Sequence, residues 1–545
     1  MNFEKKGDGF MKEKLIKIIN HQLGQMGIDN ISVSIEIPKN KDNGDFSSNI
    51  AMQLAKILQK PPIEIANDII KNISEPWITK IEIAGPGFIN FYVKNDYLLD
   101  NINYVIDQDK NYGSCEIGHN EKVNIEFVSA NPTGIMHIGN ARGGAYGDSL
   151  ARIMTFCGYD VTKEYYLNDA GNQINKLGRS VLSRYLTKIG IENEFPEDGY
   201  PGKEIYDIAD LVYKDYQDKL SKDDLEVFKK YGVEYLTNKI MEDLENYRIK
   251  YDVVTSEKEI YKKHPLDKVI SLMKDNGYIY EKDGATWFKS SILYDDKDHV
   301  LVKADGFYTY LVPDIAYHMD KIDRGFKMAI DVLGTDHHGY VARLKSALKA
   351  VGYDDNILNV KLLQLVRIVR NGQVESMHKR SGNIVSLNDL INEVGVNAAR
   401  YYFSKYSLDT QMDFDIELAK SKSNDNPVYY VCYAYARICS ILNKYPKIEK
   451  CENYNLINEE DAYNVLAAVY NFPDIVKSAC QKQMPHVITN YVYELASLFH
   501  TYYENCRVIS DDDEKTSQNL NLLKCVQITL RNALDLIGVI PEERM

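Results

Sequence analysis

The stretch ANPTGIMHIGNARGGAYGD, Ala130 to Asp148, decides how this chain is read. It follows a short β-rich run, VNIEFV from Val123 to Val128, and holds Pro132, Gly134 and Gly139 in a turn. Apolar residues then recur at Tyr146, Leu150, Ile153, Met154 and Cys157, one face of a helix that stops at Gly158. Small residues at a strand-to-helix turn let a ligand approach the backbone, and the helix N-terminus presents unpaired N–H groups at the positive end of its dipole. Phosphate is the occupant such a turn suits, with His137 as a polar contact at its mouth.

The order Pro132-Thr133-Gly134-x-x-His137-x-Gly139-Asn140 resembles the nucleotide-binding signature of class I aminoacyl-tRNA synthetases. Its flanks, FVSANPTG before and NARGGAYGDSLAR after, are similar to the arginyl-tRNA synthetase version. The resemblance implies that Pro132, Thr133, Gly134, His137, Gly139 and Asn140 bind ATP, with His137, Gly139 and Asn140 acting on the reacting phosphates.

Working outward, 545 residues exceed one domain, and about two to four are expected. An apolar content of 44% with 26% charged residues is that of a soluble globular protein. No apolar run reaches membrane-spanning length, and the opening MNFEKKGDGFMKEKL lacks the apolar core of a secretion signal. The eight cysteines are scattered without a CxxC pair, so neither a zinc site nor a disulfide framework is expected, and a reducing cytoplasm fits. A net charge of −14 argues against general adhesion to nucleic acid but leaves local basic patches free to bind RNA. Most of the 41 tyrosines are read as compositional bias.

Three blocks follow, and the fold class expected is multidomain α/β. Residues 1–115 form an α+β module: a helix from Met11 to Met26, a break at PKNKDNGDFSSN, and a helix NIAMQLAKIL with Asp45 or Ser47 as cap. A third helix opens at Pro61 and Pro62, and two strands, ITKIEIA and GFINFYV, flank AGPG. Residues 116–420 alternate strands and helices, the pattern of a Rossmann-like parallel sheet; KMAIDVLG and KLLQLVRIV are two of its strands, and the polar interval 180–265 reads as an insertion. Residues 421–545 are an all-α bundle, starting at Pro427, in which the acidic run DDDEKTSQ is a solvated loop.

Adenylation needs cations around the transferring nucleotide. From Lys361 to Arg380, Lys361, Arg367, Arg370, Lys379 and Arg380 face only Glu375, a local charge of +4. By itself this is a basic surface hairpin. In its context, MHKRSG resembles the second class I signature, a loop closing over ATP, with Lys379 as the phosphate lysine and Arg380 beside it. Ser376 and His378 depart from the usual pattern, and loss of the first lysine is itself typical of arginyl enzymes.

A guanidinium is a planar fork of donors best held by carboxylates and neutral acceptors. Glu126 and Asn131 flank the end of the first strand, and Tyr310 and Asp314 would share a face if helical. The alternative role for Asp314, following Pro313, is to cap a helix, at roughly one in three on general cap preference. The resemblance implies that Glu126 and Asn131 meet the backbone end of arginine and that Tyr310 and Asp314 meet its side chain, with Asp336 of LGTDHHG as a weaker acceptor. Asp336 and His337 are expected near the adenosine. His337 and His338 have no spaced ligand partners, so no protein metal site is expected, and Mg2+ enters only with ATP. NDAGNQI (Asn168–Ile174) matches the same family and reads as an active-site wall.

The outer blocks fit too: DFSSNIAMQLAK and AGPGFINF resemble the family's tRNA-elbow domain, and NPVYYVCYAYARI with LIGVIPEERM its anticodon-binding domain. Cys432 and Tyr435 replace the Gln and His often found there. Tyr429, Tyr433 and Arg437 are the expected tRNA contacts, stacking splayed bases. The resemblance therefore implies an arginine–tRNA ligase with arginine, ATP and cognate tRNA as partners, monomeric by default. Its competitors are a class I synthetase for another amino acid, which would leave Asp314 unpaired, and a tRNA-binding protein that has lost catalysis.

Overall fold

Five short strands pair in parallel in the computed structural model, which describes residues 11–36, 38, 40–94, 96–335, 338–375, 386–445 and 447–545. They are β1 (Lys122–Glu126), β2 (Asp160–Leu167), β3 (Val253–Ser256), β4 (Met328–Gly334) and β5 (Leu358–Leu363), in the spatial order β5-β4-β1-β2-β3. Parallel strands require crossovers, and helices supply them: α1 (Ile138–Phe156) carries the chain from β1 to β2, and α2 (Leu311–Asp323) leads into β4. Successive strands are laid to one side of β1 and then to the other. At such a reversal the crevice beyond the carboxyl ends of the strands is open to a ligand. Glu126, the last residue of β1, is the register partner of Asp331 on β4.

This is the expected α/β architecture, with four differences of detail. The run KLLQLVRIV is two strands in two sheets, because β5 ends at Leu363 and β6 (Val366–Arg370) pairs with Gln373–Val374 and with β7 (Met412–Asp415). The break is filled by a buried cation: Arg142 of α1 donates to the carbonyls of Gln364, Ser407 and Thr410 at 2.9, 2.7 and 2.8 Å. Within the interval read as an insertion, helices Gly171–Lys188, Lys203–Tyr216 and Leu225–Asn246 share a core, but β3 is the edge strand of the main sheet. The helix Ile50–Leu58 is capped at Asn49, not by Asp45 or Ser47: Asp45 accepts from the Val93 N–H at 2.9 Å and Ser47 donates to Asn90 at 2.7 Å, both inside the sheet. The acidic run is not a loop. It opens helix Asp513–Leu536, where the Asp512 carboxylate accepts from the N–H groups of Glu514 and Lys515 and the negative charge suits the helix dipole.

The chain divides into two compact units. One comprises residues 1–112, 440–471 and 498–529. In it a three-stranded antiparallel sheet (Phe46–Ser48, Phe88–Val93, Ile78–Ala84) packs with helices Met11–Gln25, Ile50–Leu58 and Pro62–Ile70 around Leu15, Ile19, Leu54, Ile69 and Phe91. The other comprises residues 113–439, 472–497 and 530–545 and holds the parallel sheet. Segments of the C-terminal helices Pro427–Leu442, Glu460–Lys482, His486–Asn505 and Asp513–Leu536 contribute to each unit. No helix among the described residues is long and apolar enough to cross a membrane.

Helix α1 is buried along nearly its whole length, which explains its small residues. A Cβ at Gly147 would lie 2.2 Å from Cγ of Phe127, so β1 and α1 meet at a distance only glycine permits. Gly147→Ala is expected to lower stability by about 1–3 kcal/mol through overpacking, more than the roughly 1 kcal/mol that alanine contributes to a helix. Gly339→Ala, where no atom lies within 4 Å of the new Cβ, should leave stability unchanged or raise it. Thermal unfolding of both variants against the parent checks the difference.

Candidate functional site

Beyond Glu126 the backbone bends sharply: Val128 and Ser129 take φ of 70° and 37°. A β-branched residue in the left-handed region is strained, and such strain persists only where surrounding contacts over-determine it. Here Tyr251 and Tyr165 donate to the carbonyls of Phe127 and Ala130 at 2.9 and 2.5 Å. The Ser129 hydroxyl ties the bend to both strands, donating to Glu126 Oε1 at 2.9 Å and accepting from the Tyr166 N–H at 3.1 Å. The bend delivers the chain to the start of α1.

His137 is the N-cap of α1, and its Nδ1 accepts from the Gly139 N–H at 3.1 Å. A neutral ring accepting at Nδ1 carries its proton on Nε2, a donor suited to a phosphate oxygen. Met136 and His137 also receive the first described residues after the MHKRSG stretch. The Leu387 N–H donates to the Met136 carbonyl at 3.0 Å, and Ser386 pairs with His137 as an isolated antiparallel bridge. Ser386 then starts helix α3 (Leu387–Val394) through a reciprocal capping box with Asp389. Residues 376–385, with Ser376, His378, Lys379 and Arg380, lie outside the described residues, as do Asp336 and His337.

Below this turn lies a chain of buried charges. The Lys321 ammonium donates to Glu126 Oε2 at 2.7 Å and to Asp331 Oδ1 at 2.8 Å. The second Asp331 oxygen meets His318 Nε2 at 2.7 Å, and His318 Nδ1 lies 2.7 Å from the Asp314 carbonyl. The Asp314 carboxylate accepts from the Tyr340 hydroxyl. Burial works against every charge here. Burial would lower Lys321, but Asp331 and Glu126 outweigh it and hold the ammonium above its ordinary range. Likewise burial would raise Asp331, but Lys321 and His318 keep it below the usual carboxylate range. Asp314, in the first turn of α2, forms no ion pair among the described residues; burial, opposed by the Tyr340 hydroxyl and by His318, pushes its carboxyl up to about 6.

The residues singled out from sequence are distributed as follows. Glu126 is buried at the end of β1, and Asn131 is exposed and donates to Gln173 of the NDAGNQI segment at 2.9 Å. Pro132 is buried, while Thr133, Gly134, Gly139 and Asn140 are half-buried. Tyr310 is the N-cap of α2 and is 77% exposed, whereas Asp314 lies inside that helix and does not cap it. Of the basic cluster, Arg367 forms a two-bond pair with Asp413 at 2.6 and 2.8 Å, and Arg370 binds Glu393 and Glu375. Two of the five cations read along the sequence, Arg367 and Arg370, are therefore paired in space with carboxylates of β7 and α3. Tyr429 and Tyr433 stack at 5.9 Å between ring centroids, 5° from parallel, and the Arg437 guanidinium lies 4.6 Å over the Tyr433 ring.

Sequence reasoning passed over Lys321, His318, Asp331 and Tyr340. A signal was present: Asp331 is a charge inside the apolar strand MAIDVLG, and a charge buried there must be paired. Among the described residues one group brings metal-type ligand atoms within 4.8 Å of one another, Asp295, Asp296 and His299. The Arg343 guanidinium lies 3.4 Å from Asp295, so this group already holds a cation.

Three family models match in sequence: the arginyl tRNA synthetase N terminal domain over residues 13–93, the tRNA synthetases class I (R) catalytic domain over 101–405, and the DALR anticodon binding domain over 431–545. The chain is 46% identical over 550 residues to arginine–tRNA ligase of Bacillus licheniformis, covering 98% of this chain and 99% of that protein. It is 47% identical over 525 residues to arginine–tRNA ligase of Bacillus subtilis, covering 94% of each. The solved arginyl-tRNA synthetase of Thermus thermophilus shares the fold with a TM-score of 0.78 at 21% identity, over 98% of this chain and 100% of that one. The chain belongs to the arginyl-tRNA synthetase family.

Proposed function

We propose that this chain joins L-arginine to its cognate tRNA, activating the amino acid with Mg·ATP to arginyl-adenylate and passing it to the terminal adenosine. Pyrophosphate leaves in the first step and AMP in the second, the nucleophile being by class habit the 2′-hydroxyl. No covalent bond to the enzyme is needed: catalysis is positioning and electrostatic stabilisation of the charge developing on phosphate. The observation that carries this reading is the half-buried Asp314 carboxylate, without an ion pair among the described residues, beside the Glu126–Lys321–Asp331 chain at the end of β1. A guanidinium supplies the cation that Asp314 lacks.

The division of labour is as follows. Glu126 and Asn131 hold the ammonium end of arginine, and Asp314 with Tyr310 holds its guanidinium, Asp336 being a further acceptor. Pro132, Thr133 and Gly134 line the nucleotide, with Asp336 and His337 near the adenosine. His137 donates from Nε2 to phosphate, with Gly139 and Asn140 at the helix N-terminus beside it. Lys379 and Arg380, in the sequence before Ser386, neutralise the phosphates. Tyr429, Tyr433 and Arg437 form a stacking platform for tRNA bases. The domains act as an elbow-binding module (1–115), a catalytic domain (116–420) and an anticodon-binding bundle (421–545). The enzyme works as a cytoplasmic monomer.

Three measurements test this. ATP–pyrophosphate exchange should require arginine and appear only when tRNA is present, and citrulline should be rejected by about four orders of magnitude because its neutral fork leaves Asp314 unpaired. Exchange at full rate without tRNA would refute the coupling, and exchange with another amino acid would refute the substrate. Because Asp314 in the free protein titrates near 6, kcat/KM for arginine should be flat above that pH and fall about tenfold per unit below it, as the carboxyl gains a proton and loses its attraction for the cation. Asp314→Asn should remove that limb of the profile along with most activity. Tyr433→Ala should raise the KM for tRNA by about 5- to 150-fold, the worth of one stacked base, and leave the KM for arginine unchanged.

A further inference from the structure

Tyr340 has no part in the chemistry above, yet it holds one of the residues assigned to arginine. It belongs to helix His338–Ala350 and donates its hydroxyl to Asp314 Oδ2. Oδ1 accepts no hydrogen bond among the described residues, and Asp314 is half-buried, so one oxygen is held and the other is open. The main chain at the same residue is held too. Nδ1 of His318 lies 2.7 Å from the Asp314 carbonyl, and the other ring nitrogen lies 2.7 Å from Asp331 Oδ2. A carbonyl and a carboxylate only accept, so both ring nitrogens donate and His318 is an imidazolium. Backbone and side chain of Asp314 are thereby fixed by two different helices.

The charged and titratable groups facing Asp314 come from five other elements. Glu126 of β1 and Asp331 of β4 share the Lys321 ammonium. Glu257, at the start of helix Glu257–Lys263, is buried, forms no ion pair among the described residues and accepts the Tyr261 hydroxyl. Tyr166 of β2 and Tyr261 are phenols that burial keeps neutral. Helix Leu266–Asp275 also packs on α2, and its Asp267 accepts the Tyr308 hydroxyl. Three carboxylates thus repel the charge on Asp314, while His318 and Tyr340 favour it. Of these two, Tyr340 alone touches the carboxylate. Burial and Asp314 hold the Tyr340 phenol well above its ordinary range, so it remains a donor. Arg343, 5.6 Å from the Tyr340 ring centroid, is engaged with Asp295 at 3.4 Å.

We propose that Tyr340 is a positioning residue for arginine: its hydroxyl holds Asp314 Oδ2 so that Oδ1 is left to meet the guanidinium. This rests on the assignment of Asp314 to the arginine side chain made under the proposed function. The phenol acts in two ways. It fixes the rotation of the carboxylate before arginine arrives, so binding does not have to order it. It also favours the ionised carboxyl, because a hydrogen bond to a charged form stabilises that form. Tyr340→Phe keeps the ring and its packing and removes both effects.

The test is ATP–pyrophosphate exchange by the full-length protein with tRNA present, comparing the parent, Tyr340→Phe and Asp314→Asn across pH. In Tyr340→Phe the acid limb of kcat/KM for arginine should move up by about one to two pH units, the worth of one hydrogen bond to a charged group. Near pH 7 the KM for arginine should rise about 2- to 10-fold with the KM for ATP unchanged, and the loss should shrink toward roughly pH 9. A loss of equal size at every pH with both KM values raised would make Tyr340 merely structural and overturn the proposal. So would a profile that coincides with the parent's. A second measurement needs no turnover: calorimetric binding of arginine to Tyr340→Phe should weaken with the same dependence on pH, and unchanged binding would overturn the proposal. Asp314→Asn keeps the two readings apart. If it exchanges arginine at the parent rate, the assignment of Asp314 falls and this role with it; if it is inactive while Tyr340→Phe matches the parent, only the role of Tyr340 falls.

Discussion

The catalytic unit is organised around a carboxylate with no access to water. Asp148, in the middle of α1, is fully buried, and so is the Arg400 guanidinium that meets it at 2.8 Å. Arg152 and Lys163 approach the same carboxylate at 2.8 and 3.3 Å. Burial would raise Asp148, but these three cations outweigh it and hold it ionised. Breaking one member of such a pair costs about 3–5 kcal/mol, because the survivor is left charged in a dry interior. The carboxylate therefore fixes α1 against β2 through Lys163 and against helix Val396–Ser404 through Arg400. Arg400 continues to the Ile537 carbonyl at 2.9 Å, so the last residues of the chain belong to the same cluster.

With α1 pinned, its two ends acquire different tasks. The N-terminal end presents His137 and the Gly139 turn beyond the carboxyl end of the central strand β1, and the C-terminal end is clamped by backbone hydrogen bonds to the segment that leads into β1. Arg142, one turn into the helix, reaches across to three carbonyls and so decides where the strand after Leu358 must stop. The site and the scaffold thus share one helix, and small residues such as Gly147 are explained by packing as much as by any ligand.

Charge is handled differently at the strand ends. Glu126 and Asp331, neighbours in register, would repel each other, and Lys321 between them removes that conflict. Asp314 accepts the Tyr340 hydroxyl and forms no ion pair among the described residues; burial pushes its carboxyl up to about 6, so it is ionised above that pH. Fixed dipoles and a negative charge already in place need not reorganise to meet a cation.

Much of this was legible in the residues themselves. The signature turn, the βα alternation, Pro427 at a helix start and the AGPG turn all rest on local rules, in which neighbours in sequence decide the backbone. Errors arose where partners were distant. KLLQLVRIV looked like one strand because the guanidinium that divides it lies on α1, and Arg367 and Arg370 looked like free charge because their carboxylates lie on β7 and α3. Asp512 looked like part of a solvated loop because charge runs usually are, although here its carboxylate caps a helix. By itself, the sequence determined the family, the fold class and the strand-to-helix turn before Ile138, since those are written in short-range spacing. Only the tertiary structure decided which charges are paired and which carboxylate is left without an ion pair among the described residues, because electrostatic pairing in a dry interior depends on distances between residues far apart in the chain.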